Sequence, residues 1–561
     1  MTSLKTTSDS DLVVLPGKDI RGILGTAERS VSASGMPSSS GSASQTAQTP
    51  AAVPEVLAVI DIGSNAIRMA IAQMLPNGEL EVLERLWRAV RLGQDAFRTG
   101  RLRPETMRTA ISILRDYRYM LNTYGVGRLR AVATTALREA SNGNTFVGRI
   151  LMATGLEVSI LSVAEEGRLV VSAVRQMAGE TLFKQGDTLV AEVGGGGTLM
   201  NLLHDGQIAA SQSIPIGSVR MQVVLSTAAM AAERAAKLIR QQATNAISTI
   251  RGIFPLRNVQ TFIGVGGDAR WIAAQVGKPR DDAGLRTVPK EALDAWLNAR
   301  QGCTADELAR AYSLPFTDAE TIVPALLVYQ ALLKATGVKE MIVTGASIRD
   351  GILHDLVTSA PGHEADSLDD EVLQSAQAIG QKYRTDSVHA EHTRRLAAKL
   401  FDQLAVEHRL GKRHRLLLEV AALLHEIGSF VSSRARHKHS CYLIMHSEIL
   451  GLTQDELVMV ANIARYHRRS CPEPSHIDYM SMSRERRMIV SKLAAILRIA
   501  VALDVNRTQQ IQDFQCRVGN DGLTLIVEGS PDLIMERRSL AEKADLFTDI
   551  YGLDVHIEAT G

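Results

Sequence analysis

Glu192–Met200 reads EVGGGGTLM, and Asp61–Met69 reads DIGSNAIRM. Each follows an apolar run, DTLVA in one case and VLAVI in the other, and each leads into a second strand-like run. An acidic residue leaving a strand, then glycine and small residues, suits a backbone that wraps an anion. Glycine permits positive φ, and main-chain N–H groups can then approach a phosphate closely. The acidic residue at the strand end can hold Mg²⁺. A single glycine-rich turn marks any tight hairpin. Two in the same strand–turn–strand setting point to a duplicated phosphate clamp.

The composition sets outer limits. A chain of 561 residues has room for roughly three or four domains. Lys and Arg total 62 against 61 Asp and Glu, so any polyanion-binding surface is local. The four cysteines, Cys303, Cys441, Cys471 and Cys516, have no CxxC spacing, which supports neither a disulfide framework nor a cysteine zinc site. No apolar run approaches the ~20 residues of a membrane span. The first residues, TSLKTTSDSD after Met1, are polar and unlike a signal peptide, so a cytoplasmic protein with no membrane partner is expected.

Residues 1–54 are rich in Ser, Thr, Gly and Ala and carry too little apolar surface to offset ordering entropy, so a disordered leader is expected. From Val56 the pattern is α/β. VLAVID, AIRMAIAQM and ELEVLERLWRAVRL read as successive strands. PETMRTAISILRDYRYMLNTY reads as a helix between Pro104 and Gly125. RLRAVAT, a helix over TALREASNGNTFVGRILMATG, the strand LEVSILSV and a helix opening AEEGRLVVSAV complete a first lobe, 55–185. The second lobe, 186–358, begins again with three strands, DTLVAEV, GTLMNLLH and QIAASQSIPI. A helix from about Thr227 to Ile250 follows, then two strand–turn–helix units, VQTFIGVGGDARWIAA and MIVTGASIRDGILHDL. The repeated plan predicts an internally duplicated two-lobed α/β fold with its cleft at the carboxyl ends of strands.

In order, DIGSN, ATTALREASNG, AEEGRL, EVGGG, GVGG and GASIRDGIL resemble the motifs of the exopolyphosphatase/guanosine-pentaphosphatase (Ppx/GppA) family, from about Val56 to Leu356. HEIGSFVSSRARHKHSCYLIMHSEILGL and ARYHRR resemble the helical domain of the long exopolyphosphatases. The resemblance implies a duplicated actin-like (ribonuclease H-like) fold followed by an all-α HD-like domain. It also implies a phosphoanhydride hydrolase using Mg²⁺, with inorganic polyphosphate or guanosine penta/tetraphosphate as substrate, and a homodimer without a nucleic-acid partner.

Such chemistry needs charge neutralisation, an in-line water and a group to orient it. Asp61, Gly63, Ser64 and Asn65 form the first candidate phosphate turn, with Arg68 beyond it able to pair bidentately with phosphate oxygens. Glu192, Gly194, Gly195, Gly196, Gly197 and Thr198 form the second, and Gly266 and Gly267 a third. Arg138 sits at a helix start after a strand, where anions are favoured. Glu165 and Glu166 follow a strand; by the resemblance, Glu166 activates water, while a first-turn helix charge is the plainer reading. Asp61 and Glu192 are the candidate Mg²⁺ ligands and Glu192 is also a candidate catalytic group.

The departures from the family pattern are specific. Glu192 replaces an aspartate, Gly197 a serine, and Leu199 a glutamate, so an acid–base group is lost where such a loss costs ~10²–10⁴ in rate. Asp268 makes GGT into GGD, Ala66 replaces a serine, and Ser162-Val163-Ala164 spreads the glycine before the Glu pair. Together they predict a weakened or repurposed site.

A linker over 359–372 precedes a helical region, 373–510, and a small α+β end-piece, 511–561. His392, His425-Glu426 and Asp504 resemble the H…HD…D ligands of HD-type metal phosphohydrolases. HE replaces HD, and Val501 stands where that family's aspartate would be, so no working metal site is expected there. The densest basic cluster comprises Arg434, Arg436, His437, Lys438, His439, Arg465, His467, Arg468 and Arg469. It reads equally as a solvated face and as a track for a long polyanion. The overall expectation is an exopolyphosphatase-type hydrolase. The rival is a silent paralogue that binds polyphosphate or an alarmone and regulates a partner, and Leu199 is the residue that favours it.

Overall fold

In the computed structural model, Val56–Ile62 (β1) is the central strand of a five-stranded sheet. Its alternation explains why the run is apolar throughout. Ala58, Ile60 and Ile62 enter the core of the first lobe, while Leu57 and Val59 enter a second core shared with the other lobe. The structure describes residues 55–560 apart from 76–77, 185, 227–231, 253, 281–283, 359–365, 469, 520–521 and 530–531. The expected leader, the first half of the expected linker, and Arg469 lie outside the described residues.

β1 pairs antiparallel with β2 (Ala66–Met74), which pairs antiparallel with β3 (Leu80–Ala89); on its other side β1 runs parallel to β4 (Arg128–Ala133) and β4 to β5 (Val158–Ile160). The order is β3-β2-β1-β4-β5. In the second lobe β6 (Asp187–Val193), β7 (Thr198–His204) and β8 (Gln207–Ile214) repeat the meander, and β9 (Val259–Val265) joins β6 in parallel. After β10 (Lys278–Pro279) and β11 (Arg286–Pro289), β12 (Glu340–Val343) takes the place equivalent to β5, with β11 and β10 appended beyond it. The lobes are therefore one topology used twice, the internally duplicated two-lobed α/β arrangement expected from the sequence.

Each lobe sends its last helix across to the other. Val163–Ala178 packs on β7 and β8, and Ile348–Thr358 packs on β1 and against Val163–Ala178. Buried ion pairs fix the crossing. Arg168 donates to Glu165 at 3.0 Å and to Asp355 at 3.2 Å, and Arg130 bridges the same two carboxylates at 3.0 and 3.3 Å. The stretch expected as one helix, TALREASNGNTFVGRILMATG, is two, Thr135–Glu139 and Gly143–Thr154. Asn142 holds the break by exchanging hydrogen bonds of 2.9 and 3.0 Å with the backbone of Leu102.

The helical region is built around Ser387–Gln403, Lys412–Leu424, Gln454–Arg465 and Arg484–Leu503. Three strands of the end-piece, β13 (Gln515–Val518), β14 (Gly522–Glu528) and β15 (Asp554–Thr560), share its core through Leu523, Leu525 and Ile557. Fully buried Arg498 joins the two, donating to Tyr466 O at 2.7 Å and Asp545 Oδ1 at 2.5 Å. No helix among the described residues is long and apolar enough to cross a membrane.

The helix crossing makes a stability prediction. A Cβ on Gly351 would fall 2.1 Å from Leu169 O, whereas one on helical Gly148 meets nothing within 4 Å. Gly351→Ala is expected to cost about 1–3 kcal/mol in urea unfolding, and Gly148→Ala to gain ~0.5–1 kcal/mol. Equal effects would contradict this packing.

Candidate active site

The two glycine turns meet. A Cβ on Gly195 would stand 3.0 Å from Ser64 Cβ and 3.1 Å from Val219 Cγ2, so a larger residue at 195 would force the lobes apart. The turns are closed by Gly63 N–H donating to Ala66 O and Gly194 N–H donating to Gly197 O, at 3.0 and 2.9 Å. Among the described residues, the main-chain N–H groups of Ser64, Asn65, Gly195 and Gly196 have no backbone acceptor. The third turn joins them: a Cβ added to Gly266, at φ 106°, would stand 3.4 Å from Glu192 Cγ. Tyr329 anchors this end of the sheet, its hydroxyl accepting from Val193 N–H at 3.0 Å and donating to Val265 O.

These turns line a cleft of about 380 Å³. Of the residues singled out in the sequence, Asp61, Gly63, Ser64, Asn65, Arg68, Glu166, Glu192, the glycines 194–197, Gly266 and Gly267 all line it. Two do not. Thr198 is fully buried and its hydroxyl donates to Ile216 O at 2.5 Å, which makes it a hairpin brace rather than a phosphate ligand. Arg138 is engaged by protein groups: it donates to Glu166 Oε2 at 3.0 Å, Leu161 O at 2.8 Å and Thr135 Oγ1 at 3.2 Å, and so orients a carboxylate instead of waiting free for an anion.

The Glu165-Glu166 pair divides by environment. Arg168 and Arg130 hold Glu165 at about 2, overcoming its burial. Glu166 faces the cleft, and burial raises it despite the nearby Arg138. Burial and the neighbouring Glu166 and Asp61 push Glu192 up to about 7. Burial and Asp318 do the same to Asp268, whose Oδ1 accepts from Thr321 at 3.4 Å. Asp61 instead pairs with Arg349 at 3.3 Å and Arg68 at 3.8 Å. Leu199 lines the cleft directly across the hairpin from Glu192, where Arg68 faces Asp61 in the first lobe, so Glu192 lacks the cross-strand partner its counterpart has.

Several residues in or beside the cleft carried no sequence expectation. Arg349 stands in the first turn of Ile348–Thr358 within the quoted GASIRDGIL, and Arg270 follows the third glycine turn, donating to Ala346 O at 3.2 Å. Arg220, just after the IPIGS stretch, spans the lobes. It donates to Gly196 O at 2.6 Å and Glu139 Oε2 at 2.6 Å, with its guanidinium 4.1 Å from the centre of the Phe97 ring. An arginine opposite a glutamate in another lobe has no local sequence signature. Arg349 had one, a strand–turn–helix setting like that of Arg270.

The basic cluster is only partly a surface. Arg434, Lys438 and Arg468 are exposed and His439 and Arg465 are half-buried. His467 is fully buried and Arg436 is paired with Glu426 at 2.8 Å, so neither belongs to a track. His437 is held down at about 4 by burial and by Arg468, Lys438 and Arg465, which confirms how closely these cations gather.

A family model described as the Ppx/GppA phosphatase family matches residues 71–360, and one described as Ppx/GppA phosphatase, domain III matches 373–547; the chain belongs to this family. A guanosine-5'-triphosphate,3'-diphosphate pyrophosphatase of Aeromonas hydrophila is 25% identical over 470 residues, 83% of this chain and 91% of the relative. Among solved structures, the Aquifex aeolicus member of the Ppx/GppA family is 24% identical with a TM-score of 0.46, covering 55% of this chain and 100% of its own. An exopolyphosphatase from Cytophaga hutchinsonii is 19% identical with a TM-score of 0.49, over 55% and 100%.

The elevated Glu192 gives a pH prediction. Its folded value, about 7, exceeds the ordinary 4.5, so folding favours the protonated form and stability falls as pH rises through that window. Glu192→Gln removes the penalty. Urea unfolding is expected to show the variant gaining on the order of 1–2 kcal/mol over wild type above about pH 8 and nothing near pH ~4. A gain independent of pH would contradict the assignment.

Proposed function

We propose that the chain hydrolyses the terminal phosphoanhydride bond of inorganic polyphosphate, releasing orthophosphate, and that the terminal phosphoryl group of guanosine pentaphosphate enters the same site. The observation that carries the reading is Glu166, raised by burial and oriented by Arg138, in the cleft where two glycine turns face each other. The name of the Aeromonas hydrophila relative supports the guanosine substrate.

Main-chain N–H groups of Ser64, Asn65, Gly195 and Gly196 receive the terminal phosphoryl oxygens, and Arg68 adds charge. Arg138 occupies one oxygen of Glu166; the other accepts a proton from water as its oxygen attacks phosphorus. The bond to the bridging oxygen breaks, and the shortened chain leaves with that oxygen. A raised carboxyl is suited to this task because the best general base titrates near the working pH.

A divalent cation fits the residues present. Five carboxylates, of Asp61, Glu166, Glu192, Asp268 and Asp318, line the cleft against the three guanidinium groups of Arg68, Arg270 and Arg349. An added polyanion makes this balance worse. Mg²⁺ held by Glu192 and Asp61 would supply the missing positive charge. Arg434, Lys438, Arg465 and Arg468 are the surviving members of the basic track that would retain a long substrate.

A second reading, a binding protein without turnover, is favoured by Leu199, an apolar side chain on the cleft wall beside Glu192. Phosphate release from long-chain polyphosphate and from guanosine pentaphosphate separates the two. Turnover that falls about 10²–10⁴-fold in Glu166→Gln with KM little changed is the expected result, and Leu199→Glu is expected to raise kcat. Tight binding of either compound with no phosphate released selects the second reading. Undiminished turnover in Glu166→Gln contradicts the proposed base.

A further inference from the structure

Away from the cleft, three histidines come together in the core of the helical region. His389 is on Ser387–Gln403, His425 at the end of Lys412–Leu424, and His467 just past Gln454–Arg465. Ring centres lie 5.6 Å apart for His389 and His425 and 4.9 Å for His425 and His467. Ligand atoms of His389, His425 and Glu426 all lie within 4.8 Å of one another. Among the described residues, these three are the group of His, Cys, Asp or Glu side chains disposed to share an ion, and His467 stands just outside it.

The tautomers are set by the partners. His425 Nδ1 lies 2.7 Å from Ala422 O and His467 Nδ1 lies 2.6 Å from Ala464 O. A carbonyl oxygen only accepts, so in both rings Nδ1 carries the hydrogen and Nε2 is left as a bare lone pair. Both Nε2 atoms are buried without a hydrogen-bond partner, and both residues are fully buried. His389 repeats the arrangement: its Nδ1 meets Asp504 Oδ2 at 2.7 Å, and that carboxylate also accepts from Gln509 N–H at 2.9 Å. An imidazole whose Nδ1–H is held by an oxygen, with Nε2 free, is oriented as metal-binding histidines are. Leaving two buried lone pairs unpaired would otherwise cost stability with no return.

His392, the histidine read from the sequence as the first ligand, is built the other way. Arg395 donates to its Nδ1 at 3.2 Å, so the hydrogen sits on Nε2 and no lone pair remains. One helical turn separates it from His389, which takes the place the resemblance assigned to His392.

We propose that His389 and His425, through their Nε2 atoms, and Glu426, through a carboxylate oxygen, form a site for one divalent transition-metal ion of the zinc, cobalt(II), iron(II) or manganese(II) class, with the His467 ring packed beside His425. Two neutral imidazoles and a carboxylate suit such borderline ions, with water completing the coordination. Glu426 is already fixed by Arg436 at 2.8 Å and by Arg507. A carboxylate has about four lone-pair sites, so these two arginines orient it without consuming it. Asp504 is a positioning residue, acting through His389.

The test uses full-length protein, stripped with a chelator, loaded with Co²⁺, desalted and assayed for bound metal and visible absorption. Glu192→Gln serves as the background, so that cleft metal does not contribute. The expected result is about one Co²⁺ retained per chain, with the intense bands of a low-symmetry nitrogen–oxygen site. His389→Gln and His425→Gln are each expected to lower retention at least tenfold while far-UV circular dichroism is unchanged. No retained Co²⁺ in the background protein, a weak spectrum like that of the aqua ion, or full retention in both substituted proteins would overturn the site. The background spectrum decides the matter even if a substituted protein fails to fold. Phosphate release plays no part in the readout, so this result and that of the proposed hydrolysis stand separately.

Discussion

The close approach of Ser64 to Gly195 is the contact on which the first two lobes depend. It brings turns from two separate sheets to one place, and it is eased because residue 195 has no side chain: a Cβ there would stand only 3.0 Å from Ser64 Cβ. The rest of the architecture serves that meeting. Exchanged helices, Val163–Ala178 and Ile348–Thr358, lock the sheets at one end, while Arg220, bonded to both Gly196 O and Glu139, ties the lobes beside the turns. Topological repetition thus becomes a functional device: two copies of one hairpin give two rows of N–H donors facing a common space.

Enclosure has an electrostatic consequence. Carboxylates placed at the ends of β1 and β6 cannot all be solvated, and the two lobes resolve this differently. Asp61 is paired with Arg349 and Arg68. Glu192, opposite Leu199, is left to rise to about 7, and Asp268 rises with it. The second hairpin is therefore the protonatable half of the cleft: burial and the neighbouring Glu166 and Asp61 raise Glu192, and Leu199 gives it no charged partner across the hairpin. The helical region shows the same economy in a different chemistry, with buried histidines held in one tautomer by backbone carbonyls.

Much of this was legible beforehand because it depends on local pattern. Strand runs ending in an acid and glycines identify both turns, and the repeated meander identifies the duplicated fold. What could not be read depends on three-dimensional pairing. Thr198 and Arg138 look like phosphate ligands until Ile216 O and Glu166 are seen to occupy them. His467 sits in a basic run yet is core, since the apolar helix before it carries it inward. His389 and His392 differ by three positions, and what separates them is the partner of Nδ1: Asp504, 115 residues away, for His389, and Arg395, one turn along the same helix, for His392. Arg220 and Glu139 are 81 residues apart, and nothing in either neighbourhood announces the other.

The claim that the two hairpins share one anion is tested most directly by a crystal structure of the Glu166→Gln protein with bound inorganic tripolyphosphate. The account predicts a terminal phosphoryl group within hydrogen-bond distance of main-chain N–H groups from both turns, at Ser64 or Asn65 on one side and Gly195 or Gly196 on the other. Tripolyphosphate held by a single turn, or bound outside the cleft with the Ser64–Gly195 contact undisturbed, would contradict it.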